Sequence, residues 1–576
     1  MKDMSNNIPP KPYDERYYFD SFDDGQVLEN KKTGRLPAMG WNSWNAFGSN
    51  NTEELTKAMA DCIVELGLDK LGYSYVVLDD GCYCPERVNG KLKNEPVKFP
   101  SDFKVLADYI HAKNLKFGMY NDIGTNLCAG AAVGTCGHEE DDARSYIDWT
   151  VDFLKVDNCY YPWDNATFSN AENAQYVYTP IISKVTLRKD DFEKEYAVKE
   201  TLGVGTYDGT GPEQTPIGKQ SDEIHIKVNV PYQGEYNLTY DFKAAKEIGC
   251  GSFIQIKVDG DKIPVYDDFA SDTPVIIKLN KGENLIRIMN HRRQENTLLS
   301  YAKLLRCLNE VKRDHDILLS ICEWGKTQPQ NWGYKVGDSW RILNDITFQV
   351  GNDGDPGVGA WESDYTTSIT AQYNKAVIMD EFSGLTKGYN DPDMLMIGMN
   401  GLTTTMCRTH MAMWCMMNSP LMLGLDLRRI SKGDELWNII ANKMLIDFNQ
   451  DPLGIQAKRV KVYLKDRVIE NGEPEYIRDN NRVDILAKPL FDGSIAISFI
   501  NLSKDEAGGN YSISMSKIAA ILGKKADLSK LTEAGSYKIF DVWSGEESIN
   551  NTGIFEVNGL KGCDNVTIKV SKNDSF

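Results

Sequence analysis

The sequence predicts an α/β fold: a (β/α)8 TIM barrel, a β-sandwich inserted into it, and an antiparallel β-sandwich after it. Three observations lead there. Short apolar runs that end in polar residues alternate with helical stretches as far as Asp157. From about residue 179 to Cys307 the texture turns to alternating strands, after which the first pattern resumes. Beyond Gly454 short alternating strands with turn residues run to Phe576. A chain of 576 residues exceeds one domain. The expected divisions are an arm over 1–35, barrel over 36–178 and 309–454, insert over 179–308 and C-terminal domain over 455–576.

The net charge of −19 argues against nucleic acid or an anionic membrane as partner, since both would be repelled. No apolar run is long enough to cross a bilayer. Met1 to Lys32 is polar and lacks the apolar core of a signal peptide, so a cytoplasmic location is expected unless a leader preceded this numbering. The 12 cysteines form no CxxC pair and read mostly as free buried thiols. The oligomeric state, a homo-oligomer included, stays open.

The rounds of the barrel can be justified in order. Pro37 to Asn45 carries Trp41 and Trp44 among small and polar residues, which suits a strand end opening into a site or a core tryptophan pair. A helix follows with Thr52 as N-cap, Glu53 and Glu54 in its first turn, and a stripe of Leu55, Met59, Cys62, Ile63 and Leu66. Val76-Val77-Leu78 is the second strand and ends in Asp79-Asp80. A helix over Phe103 to Lys113 leads to a strand over Leu115 to Tyr120, then a helix over Glu139 to Trp149. The fourth strand is Phe153 to Val156, ending in Asp157.

Within 179–307, the runs 224–228, 234–238, 253–258 and 285–288 alternate at period two, and Asp259-Gly260 is a hairpin signal. The barrel resumes at Ile317 to Ile321, ending in Cys322-Glu323-Trp324. Ser339 to Asp345, the loop Gly388 to Met394, and the strand Pro420 to Gly424 follow, and one helix over Leu436 to Phe448 closes the barrel.

Carboxylates thus stand at several strand ends: Asp79 and Asp80, Asp157, Glu323, and Asp345. Adjacent carboxylates repel, so Asp79-Asp80 needs a metal, a hydroxyl array or a solvated turn. Lys155 and Asp157 taken alone could be a surface ion pair. In a barrel of this kind, chemistry gathers at the C-terminal strand ends. Carboxylates and tryptophans with one Lys and one Arg, and no clustered histidines, point to carbohydrate chemistry. Glycoside cleavage needs two carboxyl groups flanking one bond. No ligand spacing for a metal is evident, and no cofactor is expected.

The barrel and the C-terminal domain resemble glycoside hydrolase family 27, the α-galactosidases and α-N-acetylgalactosaminidases. The matching stretches run in family order: Met39 to Trp44, Asp79-Asp80, Lys116 to Asp122, Lys155 to Cys159, Cys322 to Gly325, Ser339 to Arg341, Asn390 to Met394, and Asn449 to Gly454. The resemblance implies a retaining exo-glycosidase acting on terminal α-galactosyl residues. Asp157 would be the nucleophile and Asp345 the acid/base. Lys155, on the same strand face, would bind hydroxyls and keep Asp157 ionised. Asp79 and Asp80 would grip O4 and O6, Trp44 and Tyr120 would pack on the ring, and Arg341 would meet the O2 side near Asp391, with Met394 beside it. Cys128 and Cys159 match a pocket-lining pair that is bridged in many relatives.

Glu323 stands where relatives acting on N-acetylgalactosamine have a small residue, which favours galactose. Asp79, not glutamate, argues against a β-L-arabinopyranosidase. Those two activities are the alternatives on the same scaffold, and a non-catalytic carbohydrate-binding protein is the alternative of another class. The sequence departs from the family at Gly81-Cys82-Tyr83, at Tyr389, and in the insert that follows the fourth strand. The insert resembles β-sandwich carbohydrate-binding modules, although a structural or oligomerisation role fits its pattern equally.

Overall fold

The computed structural model describes residues 33–160, 181–197, 223–243, 254–259, 265–267, 273–289, 292–311, 315–325, 329–363 and 368–573. Most of the expected arm, and Gly260 of the expected hairpin, lie outside these residues.

The first half of the barrel is β1 (Met39–Asn42), α1 (Trp44–Phe47), α2 (Glu53–Glu65), β2 (Tyr75–Val77), α3 (Phe103–His111), β3 (Lys116–Asp122), α4 (Glu139–Asp148) and β4 (Phe153–Asp157). Thr52 caps α2 by accepting from the Leu55 N–H. The buried side of α2 is Thr56, Met59, Ala60 and Ile63, so the expected stripe is rotated toward Ala60, leaving Leu55 and Cys62 half-buried.

The insert contributes β5 (Ile181–Lys189), β6 (Phe192–Ala197), β7 (Glu223–Val230), β8 (Gly234–Lys243), β9 (Ile254–Val258), β10 (Val265–Asp267), β11 (Val275–Leu279) and β12 (Gly282–Met289). They form two four-stranded sheets, ordered β10-β9-β12-β7 and β11-β8-β5-β6. Alternate residues such as Val185, Leu187, Ile226, Val228, Leu238, Ile277, Ile286 and Ile288 turn inward to one apolar core shared by both sheets.

The barrel continues with α5 (Arg292–Val311), β13 (Leu318–Cys322), β14 (Ser339–Arg341), α6 (Ile369–Ala376), β15 (Tyr389–Asp391), α7 (Thr404–Met416) and β16 (Leu421–Leu423). The expected all-β texture to Cys307 is corrected here. Leu298, Tyr301, Ala302, Leu305 and Leu308 recur at helical spacing and bury in the barrel core, so α5 is a barrel helix and the expected boundary at 308 falls inside it. Its Tyr301 hydroxyl donates to the Val156 carbonyl at 2.9 Å, directly supporting β4.

The eight barrel strands lie in the order β15-β14-β13-β4-β3-β2-β1-β16. Every pairing between them is parallel. A parallel bridge between Leu395 and Leu423 joins the loop after β15 to β16 and closes the ring. Apolar residues such as Val76, Phe117, Leu154, Val156 and Ile321 fill the strands, as burial on both faces requires. The single helix expected over Leu436 to Phe448 is two, α8 (Glu435–Ile440) and α9 (Lys443–Asn449). Asn442 breaks it by capping α9, its side chain accepting from the Leu445 N–H.

The C-terminal part holds β17 (Lys458–Leu464), β18 (Val468–Ile469), β19 (Arg482–Pro489), β20 (Ile495–Asn501), β21 (Ala507–Ser514), α10 (Met515–Leu522), α11 (Ser529–Thr532), β22 (Tyr537–Asp541), β23 (Glu547–Asn550), β24 (Ile554–Leu560) and β25 (Asn565–Lys572). A seven-stranded sheet, β18-β17-β19-β20-β25-β22-β23, faces the pair β21-β24 across an apolar layer. Its other side joins the barrel core through Leu486, Ala496, Ile500 and Leu502. Among the described residues no helix is long and apolar enough to cross a membrane.

A buried charged cluster of the sheet also reaches the barrel, through a hydrogen bond from α6. Asp484 on β19 is wholly buried, meets Arg482 Nε at 2.9 Å and Arg459 Nη1 at 3.6 Å, and accepts from the Tyr373 hydroxyl of α6 at 3.0 Å. Burial alone would raise its pKa, and the two guanidiniums outweigh that and lower it. Removing one member of such a cluster strands the others without compensation. Asp484→Ala should therefore cost about 3–5 kcal/mol in urea unfolding. A loss under about 1 kcal/mol would contradict this account of the interface.

Candidate active site

Strand register gathers the polar residues at one end of the barrel. Tyr120, Lys155, Ser320, Ser339 and Tyr389 form one row across five strands. Two residues further along, Asp122, Asp157 and Cys322 form the next. Side chains alternate along a strand, so Phe153, Lys155 and Asp157 share one face of β4. The apolar layer below includes Phe153, Leu318, Val77 and Met394, with Trp44 packed against it.

Lys155 is the hub. Its Nζ donates to Asp79 Oδ2 at 2.8 Å and lies 5.3 Å from the Tyr120 ring centre. Burial would depress its pKa, but Asp79, Cys322, Asp157 and Asp345 together hold it well above the ordinary value. Asp79 Oδ2 also accepts from Asn42 Nδ2 at 2.8 Å, while Asp79 Oδ1 accepts the Asp80 N–H at 2.9 Å. Asp80 Oδ2 accepts the Ala129 N–H at 2.7 Å. Burial, with Asp79 adding to it, raises the Asp80 pKa to about 6.

Asp157 is buried at the end of β4. Its Oδ2 accepts from the Tyr120 hydroxyl at 3.3 Å and its Oδ1 from the Asn158 N–H at 3.0 Å. Burial raises its pKa to about 7, Lys155 pulling it down and Asp345 pushing it up. The field of Asp345 therefore reaches Asp157. Asp345 follows β14 with its side chain 46% exposed, and its Oδ1 receives Arg341 Nη2 at 3.0 Å. Of this pair one carboxylate is enclosed and the other open to water.

Arg341 is buried and also meets Asp393 Oδ2 at 2.8 Å. Asp391 is the register partner of Arg341, and its Oδ1 accepts the Asp393 N–H at 2.8 Å. Burial, opposed by Arg341 and reinforced by Asp393, raises the Asp391 pKa to about 6. Asp393, which sequence reasoning passed over for Asp391, makes the direct ion pair. The signal in Asn390 to Met394 is ambiguous because either carboxylate could face Arg341. A left-handed backbone at Asp393, φ 75°, turns it there.

Glu323 is wholly buried just beyond β13. Its charge acts on Lys375 of α6, whose pKa burial lowers to about 8 with Glu323 opposing. The following turn is tight. Trp324 and Gly325 both have positive φ, and a Cβ on Gly325 would stand 2.0 Å from the Ile342 carbonyl oxygen.

Cys128 and Cys159 are disulfide-bonded, with Cα atoms 5.2 Å apart. The Tyr120 hydroxyl reaches Cys128 Sγ at 3.1 Å, which joins the bridge to the Asp157 side of the site. Asp122, also unforeseen, holds this corner by accepting the N–H groups of Gly124 and Cys159, each at 2.6 Å. Asp122, Cys128, Asp157 and Cys159 place ligand-type atoms within 4.8 Å of one another. Their thiols are consumed in the bridge, so the donor set does not suit a metal ion. The site as built offers a buried carboxylate, an open carboxylate, two cations and a fringe of acceptors. That combination suits a neutral polyol ring undergoing displacement and proton transfer.

Comparison with known proteins agrees. A C-terminal region, residues 480–565, matches the alpha galactosidase C-terminal beta sandwich domain. An α-galactosidase of Cyamopsis tetragonoloba is 27% identical over 527 residues, covering 91% of this chain and 85% of its own. The alpha-galactosidase A of Cellvibrio japonicus is 27% identical over 525 residues, covering 90% and 87%. The structure of an α-galactosidase from Saccharomyces cerevisiae shares the fold, with a TM-score of 0.59 at 21% identity over 94% of this chain and 98% of its own. The family model described as alpha galactosidase A matches residues 36–178 and 284–451, skipping most of the insert. With more than half of its 576 residues so matched, the chain belongs to this family of glycoside hydrolases, family 27.

Proposed function

We propose that the protein is a retaining exo-α-galactosidase in which Asp157 is the nucleophile and Asp345 the acid/base. The observation that carries this reading is the unequal pair itself: Asp157 enclosed with the charges of Lys155 and Asp345 acting on it, and Asp345 half-exposed on Arg341. Family membership supports the substrate class. A solved α-galactosidase from Saccharomyces cerevisiae is described with raffinose, which carries to this chain as an expected kind of substrate, an α-galactosyl oligosaccharide.

In the first step Asp157 attacks the anomeric carbon while Asp345 gives its proton to the leaving oxygen. The bond to the aglycone breaks and a β-galactosyl ester forms on Asp157. Water then enters on the Asp345 side, loses a proton to that carboxylate, and displaces Asp157, so α-galactose leaves with retention. The exposure of Asp345 gives the aglycone a way out and the attacking water a way in between the steps. Asp79, Asp80 and Lys155 offer acceptors and a donor to the O4 and O6 edge, and Arg341 with Asp393 and Asp391 to the O2 edge. Trp44 and Tyr120 offer ring faces. Glu323, wholly buried, fills volume that an acetamido group would need, which favours galactose over N-acetylgalactosamine.

Turnover of p-nitrophenyl α-galactoside, with α-galactose as the first product seen by NMR, is the expected result. Turnover confined to the N-acetylgalactosamine analogue would reverse the specificity, and β-galactose as first product would overturn the mechanism. Asp157→Asn should abolish turnover while retaining galactose binding by calorimetry; parental rates would remove Asp157 from its role.

The pH dependence has a definite sign. Asp157 attacks only when ionised, and its pKa is raised to about 7, so kcat/KM should fall as pH drops through that region. Lys155 is the charge that lowers this pKa, so Lys155→Met should move the acid limb to higher pH. Movement to lower pH would contradict the assignment.

A further inference from the structure

Helix α6 is buried on nearly every side, from Ile369 and Thr370 through Gln372 to Ala376. Outer helices of a barrel ordinarily keep a solvated stripe. This one lies between the C-terminal sheet and the catalytic strand ends. Toward the sheet, the Tyr373 hydroxyl donates to Asp484 Oδ2 at 3.0 Å, and Asn374 Oδ1 accepts from Arg482 Nη2 at 2.6 Å. Asn374 Nδ2 donates to Asn480 Oδ1 at 3.1 Å. Toward the barrel, Gln372 reaches the loop after β14.

Gln372 is wholly buried, and its Nε2 donates to the Asn344 carbonyl at 2.6 Å. That carbonyl belongs to the peptide immediately before Asp345. The peptide immediately after it is held too, because the Ile346 N–H donates to Asp393 Oδ2 at 2.8 Å. The Asp345 side chain is open to water on one side and is held on the other by Arg341 Nη2, 3.0 Å from its Oδ1. Where that carboxylate points therefore depends on Arg341 and on a main chain that is pinned on both sides.

We propose that Gln372 is a positioning residue for the acid/base, and that the C-terminal sheet, by clamping α6, is part of the device that aims Asp345 at the leaving oxygen. This rests on the reading of Asp345 given above. The sheet contributes to catalysis without touching the sugar: Asp484 and Arg482 hold Tyr373 and Asn374, these hold α6, and Gln372 transmits the position of α6 to residue 344.

A structural role alone would lower activity on every substrate alike. Aiming of the acid has a different signature, because a poor leaving group needs the proton and an activated one does not. The test compares kcat/KM of the full chain on methyl α-galactoside and on dinitrophenyl α-galactoside, both of which report the glycosylation step. Gln372→Met keeps the length and removes the donor. It should lose about tenfold to a hundredfold on the methyl substrate, the scale expected of a small misplacement, and under about threefold on the dinitrophenyl substrate. Should that variant fail to fold, Gln372→Asn, polar but too short to reach, carries the same expectation. Asp345→Ala should show the same split, larger. Equal losses on both substrates, or none, in the Gln372 variant beside a split in Asp345→Ala would overturn the positioning role alone. No split in Asp345→Ala would overturn the reading of Asp345 and the positioning role with it.

Discussion

The structure of the site depends on keeping Lys155 charged inside the barrel mouth. Asp79, Asp80, Asp157 and Asp393, with the partly buried Asp391 beside them, crowd a space that is largely closed to water, and a buried carboxylate without a counter-charge takes up a proton instead. Lys155 on one side and Arg341 on the other are the cations set against them. The pKa values of Asp80, Asp157 and Asp391 are still raised, so the compensation is partial. Partial compensation is useful at such a site. On the proposed reading, acceptors already desolvated would gain the most from a sugar's hydroxyls, while Asp157 stays ionisable near neutrality.

The surrounding fold reads as the means of holding those charges. β4 carries Lys155 and Asp157 two residues apart on one face, and α5 supports the Val156 carbonyl between them through Tyr301. The disulfide and Asp122 fix the turn that leaves β4. The two sheets of the insert close on an apolar core of their own, separate from that of the barrel. The C-terminal sheet does the opposite, sharing the barrel core through Leu486 and Ile500 and gripping α6.

Much of this was legible in the sequence, and the limits have physical causes. Strand ends announce themselves because an apolar run must stop where a charge is needed, as at Asp79-Asp80 and Asp157. α5 escaped notice although Leu298, Tyr301, Leu305 and Leu308 repeat at helical spacing, because it directly follows a run of period-two strands. The choice between Asp391 and Asp393 depends on one backbone rotation at Asp393, which residue types do not reveal. Gln372 left no trace at all. A glutamine in a helix is ordinarily a solvated residue, and no residue type nearby reveals that this one turns inward to a carbonyl 28 positions back. Site chemistry is thus written locally, whereas the support of that chemistry depends on contacts distant in sequence.

The central claim is that the Asp157 carboxylate forms the covalent bond to the sugar. A fluorinated galactosyl fluoride that glycosylates retaining enzymes and turns over slowly would capture that state, and peptide mass spectrometry would locate it. The account predicts a single galactosyl adduct on the peptide bearing Asp157. An adduct on Asp79, Asp80 or Asp345 instead would contradict it.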